Sequence, residues 1–172
     1  MALIKGGREA HDPWTVLADD TPPPDGPVLV SLERWRAQGA ELSAGGRDVG
    51  VVLRSDQTPA EIAEALGAFD VIALEFPVFT DGRAYSTARL LRERYGYTGE
   101  LRAIGNVLRD QLLFMQRVGF DAYEVPSSAD VADWLAAFAE FDVVYQAGAD
   151  ARVPVPHLRH GAAVDGLYWT AG

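Results

Sequence analysis

From Val28 onward, short apolar runs alternate with stretches whose apolar residues recur every three or four positions. Val28–Val30 reads as a short strand, and Ser31 caps a helix carrying Leu32, Trp35 and Arg36 that Gly39 is expected to stop. The turn Ser43-Ala44-Gly45-Gly46 leads to a strand over Val49–Leu53. Thr58-Pro59-Ala60-Glu61 has the spacing of a capping box with proline at the first helical position, and predicts a helix reaching Gly67. Val71–Phe76 is almost continuously apolar, as suits a parallel strand buried on both faces. After an exit loop over Pro77–Gly82, Ala84, Ala88, Leu91 and Tyr95 mark one face of a helix that Gly96 and Gly99 end. Leu101–Gly105 is the next strand, and Asn106 is expected to open a helix through Leu108, Leu112 and Met115 to Gly119. A strand at Ala122–Val125, a capping signature at Ser127-x-x-Asp130, a helix face of Val131, Leu135 and Phe138, and a strand at Asp142–Gln146 complete the pattern.

The alternation predicts an α/β fold: a mostly parallel sheet of about six strands in βα units. A complete eightfold barrel needs roughly 250 residues, so the sheet is expected to be partial-barrel-like or flavodoxin-like. Residues 1–27, with an apolar start at Ala2–Ile4, a strand-like run Trp14-Thr15-Val16-Leu17 and the breaker run Asp19-Asp20-Thr21-Pro22-Pro23-Pro24-Asp25-Gly26-Pro27, read as an extended lead-in and linker. Residues 28–146 form the α/β domain and 147–172 a loose tail rich in Pro, Gly and Ala.

Composition removes several function classes. The chain has no cysteine, which rules out disulfides, thiolate nucleophiles and Cys-ligated zinc or iron–sulfur clusters. A net charge of −10 argues against general nucleic-acid binding, which needs a broad basic surface. No run of apolar residues is long enough to cross a membrane, and the N-terminus lacks the apolar core of a secretory signal, so a cytoplasmic location is expected.

Charge is unevenly spread along the chain. Between Arg83 and Arg117 lie seven of the fourteen arginines against three acids, Glu93, Glu100 and Asp110. A basic segment on an acidic protein is where an anion or acidic partner would dock. The overall preference for Arg over the single Lys5 is what a GC-rich coding bias would produce, but that bias leaves the clustering unexplained.

In α/β folds ligands gather at the carboxyl ends of the strands. This selects Arg54, Glu75, the loop Asp81-Gly82-Arg83, Asn106, Glu124 and Gln146. Asn106 is either an N-cap or part of an anion site at a helix start. Glu75 and Arg102 interrupt apolar strands, and a charge there must be paired, neutralised or used. They are expected either to pair with each other across neighbouring strands or to line a pocket, with Arg102 pointing to solvent near a strand start as the other alternative. Tyr85 and Ser86 are either a packed ring and a solvated hydroxyl or ligand contacts. His157-x-x-His160 follows Pro154 and Pro156 in irregular chain, and no metal site is expected there. The glycines around Gly45-Gly46 precede a strand instead of following one, so they make no dinucleotide fingerprint, and no phosphate-binding GxxxxGK[ST] loop is present.

Three ordered blocks carry a resemblance: Asp81-Gly82-Arg83-x-Tyr85-Ser86, Gly99-Glu100-Leu101-Arg102-Ala103 and Asp110-Gln111-Leu112, with the opening ALIKGG and the runs VLVSLERW and VIALEF. With these the chain resembles an uncharacterised bacterial family whose members carry the label probable oxidoreductase and whose genes commonly lie beside assimilatory sulfite reductase. That family often has Asp where this chain has Asn106 and Cys where it has Val118, so a mechanism needing either group would fail here. The resemblance implies an accessory protein of sulfite assimilation that docks on sulfite reductase. The docking surface would comprise Arg83, Arg89, Arg92, Arg102 and Arg109, with Asp81 and Asp110 orienting them. Two alternatives stay open: an enzyme binding a sulfur oxyanion through Arg83, Arg102 or Arg109, and a structural or regulatory module without a ligand. The cofactor is unknown. Without cysteine, electrons would have to reside on a bound flavin or on the partner.

Overall fold

The computed structural model describes residues 1–44, 46–140, 144–150 and 152–156. Eight strands form one sheet: β1 (Ala2–Lys5), β2 (Arg8–Ala10), β3 (Thr15–Val16), β4 (Val28–Ser31), β5 (Val49–Leu53), β6 (Val71–Phe76), β7 (Glu100–Gly105) and β8 (Ala122–Val125). Their spatial order is β2-β1-β8-β7-β6-β5-β4-β3. From β3 to β8 every neighbour is parallel, whereas β1 runs antiparallel to both β8 and β2. The α/β class agrees with the sequence pattern, but the sheet has more strands than expected and mixed orientation. Because β3 to β8 follow one another without a reversal of order, there is no topological switch point, which a flavodoxin-like winding requires.

Residues 1–27, expected as a lead-in, supply three of these strands. Gly6 and Gly7, both at positive φ, make the two-residue turn of the β1–β2 hairpin. Beyond β3, the buried Arg34 guanidinium donates to Ala18 O and to Thr21 O (2.6 Å), and Ser31 Oγ donates to Asp19 Oδ1 (2.6 Å).

The sheet is curled into a half-barrel. β2 and β3 lie on opposite edges, yet only residues 11–14 separate them. The five Cα steps from Ala10 to Thr15 reach at most about 18 Å. Eight strands laid flat would put those edges roughly 34 Å apart. The short connection therefore spans the concave face like a strap.

Among the described residues there are four α-helices: α1 (Leu32–Leu42), α2 (Arg83–Glu93), α3 (Leu112–Arg117) and α4 (Val131–Ala136). A 3₁₀ segment, Pro59–Ala68, stands where the Thr58 capping signature predicts a helix, and Glu61 accepts from the Thr58 N–H at 2.8 Å. The main core lies on the convex face. There Leu53, Ile72, Leu74, Phe76, Leu101 and Tyr123 from the sheet meet Leu32, Ala88, Leu91, Leu112 and Met115 from the helices.

Three local expectations are corrected. Gly39 does not stop α1; a Cβ there would lie 2.9 Å from the Trp35 ring, so glycine makes room for the indole inside the helix. Asn106 opens no helix. Gly105 takes φ +86°, the Asn106 N–H donates to Phe76 O at 2.8 Å, and buried Val107 keeps the chain irregular until the 3₁₀ turn Arg109–Gln111. Asp130, not Ser127, caps α4 by accepting from Ala132 N at 3.0 Å. Asp142 and Val143 of the expected last strand lie outside the described residues, as do His157 and His160. Val144 forms a parallel bridge with Pro154.

Candidate functional site

Strand alternation divides the sequence-selected residues between two faces. Leu101 and Ala103 of β7 point into the helix-covered core, so Glu100 and Arg102 point to the concave face. Register places Glu124 of β8, Lys5 of β1 and Glu75 of β6 on that same face.

Arg102 is 0% exposed there. Its Nη1 and Nη2 donate to Asp12 Oδ2 (2.8 Å) and Oδ1 (3.1 Å), its Nε donates to Glu100 Oε1 (2.7 Å), and Glu124 Oε1 lies 3.5 Å from Nη1. Lys5 Nζ donates to the other Glu100 oxygen at 2.6 Å. Burial opposes the guanidinium charge, but the Asp12 hydrogen bonds and the Glu100 charge outweigh it and hold the Arg102 pKa above its ordinary value. Burial also pushes the Glu124 carboxyl above the usual carboxylate range, against the pull of Arg102. The expected Glu75–Arg102 pair does not form: Arg102 spends its donors on Asp12 and Glu100, and Glu75, two positions further along β6 than the Ala73 that faces Arg102, sits half-buried beside Ile104.

The convex side collects most of the remainder. Asp81 accepts from Arg83 Nε (2.9 Å) and Nη2 (2.6 Å), and that hydrogen bonding holds its carboxyl well below the usual range. Arg83 also donates to Ser55 Oγ at 2.8 Å. Arg54, at the end of β5, forks onto Glu33 at 2.8 and 3.1 Å. Arg89 pairs with Glu93 one turn along α2 (2.9 Å), and Arg109 reaches Glu140 (2.7 Å) and Asp133 (2.9 Å). Tyr85 is a packed ring between Phe76 (5.1 Å) and Phe114 (4.9 Å), both edge-on. Asn106 and Asp110 are exposed.

Arg92 belongs to neither group. It donates to the carbonyls of Gly119, Tyr97 and Gly99 and to Asp121 Oδ2, tying the end of α2 to the starts of β7 and β8. The five arginines expected as one docking surface are thus divided: Arg83, Arg89 and Arg109 are at the surface, Arg92 is a strut and Arg102 is enclosed. The positive charge counted along the segment is met in space by Asp81, Glu93, Asp121, Asp12, Glu100, Glu140 and Asp150.

An apolar ridge that the charge pattern did not reveal has Arg89 and Arg117 in the groove beside it. Phe79 is 52% exposed and Phe114 55%, with exposed Val78 beside Phe79. Gln111 links them, its Nε2 donating to Phe79 O at 3.3 Å one helical turn before Phe114. Phe114 stands between a groove of about 560 Å³ lined by Arg89, Arg117, Val118 and Tyr145 and one of about 230 Å³ lined by Asp110, Ala137 and Glu140. Leu113 and Phe114 adjacent in a helix with only one apolar face was the available signal. Among the described residues, no three His, Asp or Glu side chains gather as a metal site would require, and no helix is long and apolar enough to cross a membrane.

A family model for a bacterial protein of unknown function, DUF934, matches residues 50–156. The chain belongs to that family. The DUF934 span runs from β5 past α4 and holds Glu75, Glu100, Arg102, Glu124 and the whole Phe79–Phe114 ridge, while Lys5 and Asp12 lie before it. No curated protein matches the chain.

Proposed function

We propose that the protein is an accessory component of assimilatory sulfite reduction, a probable oxidoreductase component that docks on sulfite reductase through the Phe79–Phe114 ridge. The observation that carries the docking role is this ridge: two exposed phenylalanines, with Arg89 and Arg117 lining the groove beside Phe114. Aromatic residues and Arg are enriched at interface centres, and exposed rings bordered by polar groups mark such sites on soluble proteins. The choice of partner rests on the sequence resemblance carried by Asp81–Ser86, Gly99–Ala103 and Asp110–Leu112. Because both of these arginines already hold a carboxylate, Glu93 and Asp150, burial of the rings supplies most of the affinity and charge pairing a smaller part. With no cysteine in the chain, an electron-carrying role would fall to a bound flavin or to the reductase.

The test is co-elution of the purified protein with its cognate sulfite reductase at low and high salt, with absorbance followed from the near-ultraviolet through the visible. A complex at low salt that survives in good part at high salt supports the reading, and flavin bands on the free protein make it an electron donor. Absence of a complex at either salt overturns it.

A further inference from the structure

The concave face carries an arrangement that docking on the convex side does not use. A guanidinium held by two parallel N–H···O bonds to one carboxylate has the geometry with which arginine takes free carboxylate, phosphate and sulfur oxyanions. Arg102 has that geometry at the centre of the half-barrel, and its carboxylate comes from the strap.

The strap is weakly fastened elsewhere. Residues 11–14 make no backbone–backbone hydrogen bond among the described residues, and His11 and Pro13 are exposed. The Asp12 side chain is 31% exposed above an Arg102 that is wholly covered. The other contacts of the site do not run through Asp12: Glu100 is held by both Lys5 and Arg102, and Glu124 Oε1 lies 3.5 Å from Nη1.

We propose that the concave face is a binding site for a small, singly charged oxyanion, which Asp12 occupies as a built-in plug. Charge selects the class of ligand. Among the groups joined to Arg102 by ion pairs, with Asp12 withdrawn, Lys5 and Arg102 balance Glu100 and Glu124, so a monoanion restores the charge around the guanidinium, whereas a dianion adds one more negative charge beside two carboxylates. A carboxylate such as acetate and hydrogen sulfite share this chemistry. Exchange of plug for ligand would free the strap, including half-buried Trp14, whose N–H now donates to Asp12 Oδ1 at 3.2 Å.

The test uses the full chain as wild type, Asp12→Ser and Asp12→Ser/Arg102→Met. Each is titrated with sodium acetate, sodium hydrogen sulfite and, at equal ionic strength, sodium chloride, by calorimetry and by NMR of the Arg102 Nε–H and Trp14 indole signals. Saturable binding to Asp12→Ser, at least about tenfold tighter than to wild type and lost with Arg102→Met, supports the site. Acetate alone makes it a carboxylate site, and hydrogen sulfite alone a sulfur-oxyanion site. A folded Asp12→Ser protein that binds neither overturns the proposal. Should Asp12→Ser not fold, wild type decides: both signals moving with either oxyanion but not with chloride supports the plug, and identical spectra overturn it. A failed docking experiment leaves these outcomes unaffected, because the ridge lies on the opposite face.

Discussion

Asp12 and Arg102 are 90 positions apart in sequence and share two hydrogen bonds, of 2.8 and 3.1 Å, at the centre of the concave face. This pair joins the strap to the middle of the sheet, and its arginine is the largest side chain among the fully buried residues. Arg102→Met leaves Asp12 and Glu124 without their cation and Glu100 with Lys5 alone. Removing one partner of a buried ion pair costs about 3–5 kcal/mol, so the urea midpoint should fall sharply. Asp12→Asn keeps one acceptor for the guanidinium and should cost about 1–3 kcal/mol. Equal, small effects of the two would show that the cluster contributes little to holding the half-barrel.

Two glycines sit where neighbouring strands leave no room for a side chain. A Cβ at Gly50 would lie 2.5 Å from Leu29 Cδ2 and 2.7 Å from Val71 O, with β4 and β6 on either side. Gly50→Ala should lower stability by roughly 1–3 kcal/mol through overpacking, readable in thermal melts. Gly105→Ala adds a φ of +86° to a 2.6 Å clash with Phe76 O and should cost at least as much.

Two carboxylates should pull the acid side of the stability profile in opposite directions. Glu124 has a folded pKa above its unfolded value near 4.5, so the folded state binds its proton more readily. Its contribution is present at low pH and falls away as pH rises from 4.5 through the folded pKa. Asp81 has a folded pKa below its unfolded value near 3.8, so its contribution is present above that pH and is lost on acidification. Glu124→Gln should therefore raise stability at pH 7 relative to pH 4, and Asp81→Asn should lower it. Urea unfolding of the three proteins at both pH values checks the signs; the same direction for both variants would contradict the assignment.

Much of the sheet was legible because β4 to β8 are apolar runs separated by turn signals, and a parallel strand buried on both faces carries that pattern in its own residues. β3 showed as the strand-like run Trp14-Thr15-Val16-Leu17, but β1 and β2 were not legible. Four residues of β1 gain their meaning from pairing with β8, where Leu3 faces Glu124, and that partner is invisible locally. Asp12 was missed for the same reason, although Glu100 and Arg102, two apart in one strand, had to share a face. The arginine count misled because charge along a segment does not show which acids fold against it. Arg92 and Asp121 meet only once β8 lies beside β7. The Phe79–Phe114 ridge was only half legible: Leu113 beside Phe114 was a signal, but nothing local shows that Phe79, in the loop after β6, lies near α3.

Removing that ridge should separate docking from stability. Phe114→Ser forfeits an edge-on contact with Tyr85, about 0.5–1.5 kcal/mol, and Phe79→Ser less still, so both proteins should remain folded by circular dichroism. The decisive measurement is the dissociation constant between the protein and sulfite reductase by calorimetry, for wild type and Phe79→Ser/Phe114→Ser, at low and high salt. The docking account predicts that wild type weakens by only a few-fold as salt rises, while the double variant loses binding at both. Undiminished affinity in the folded double variant, or no binding by wild type, would contradict it.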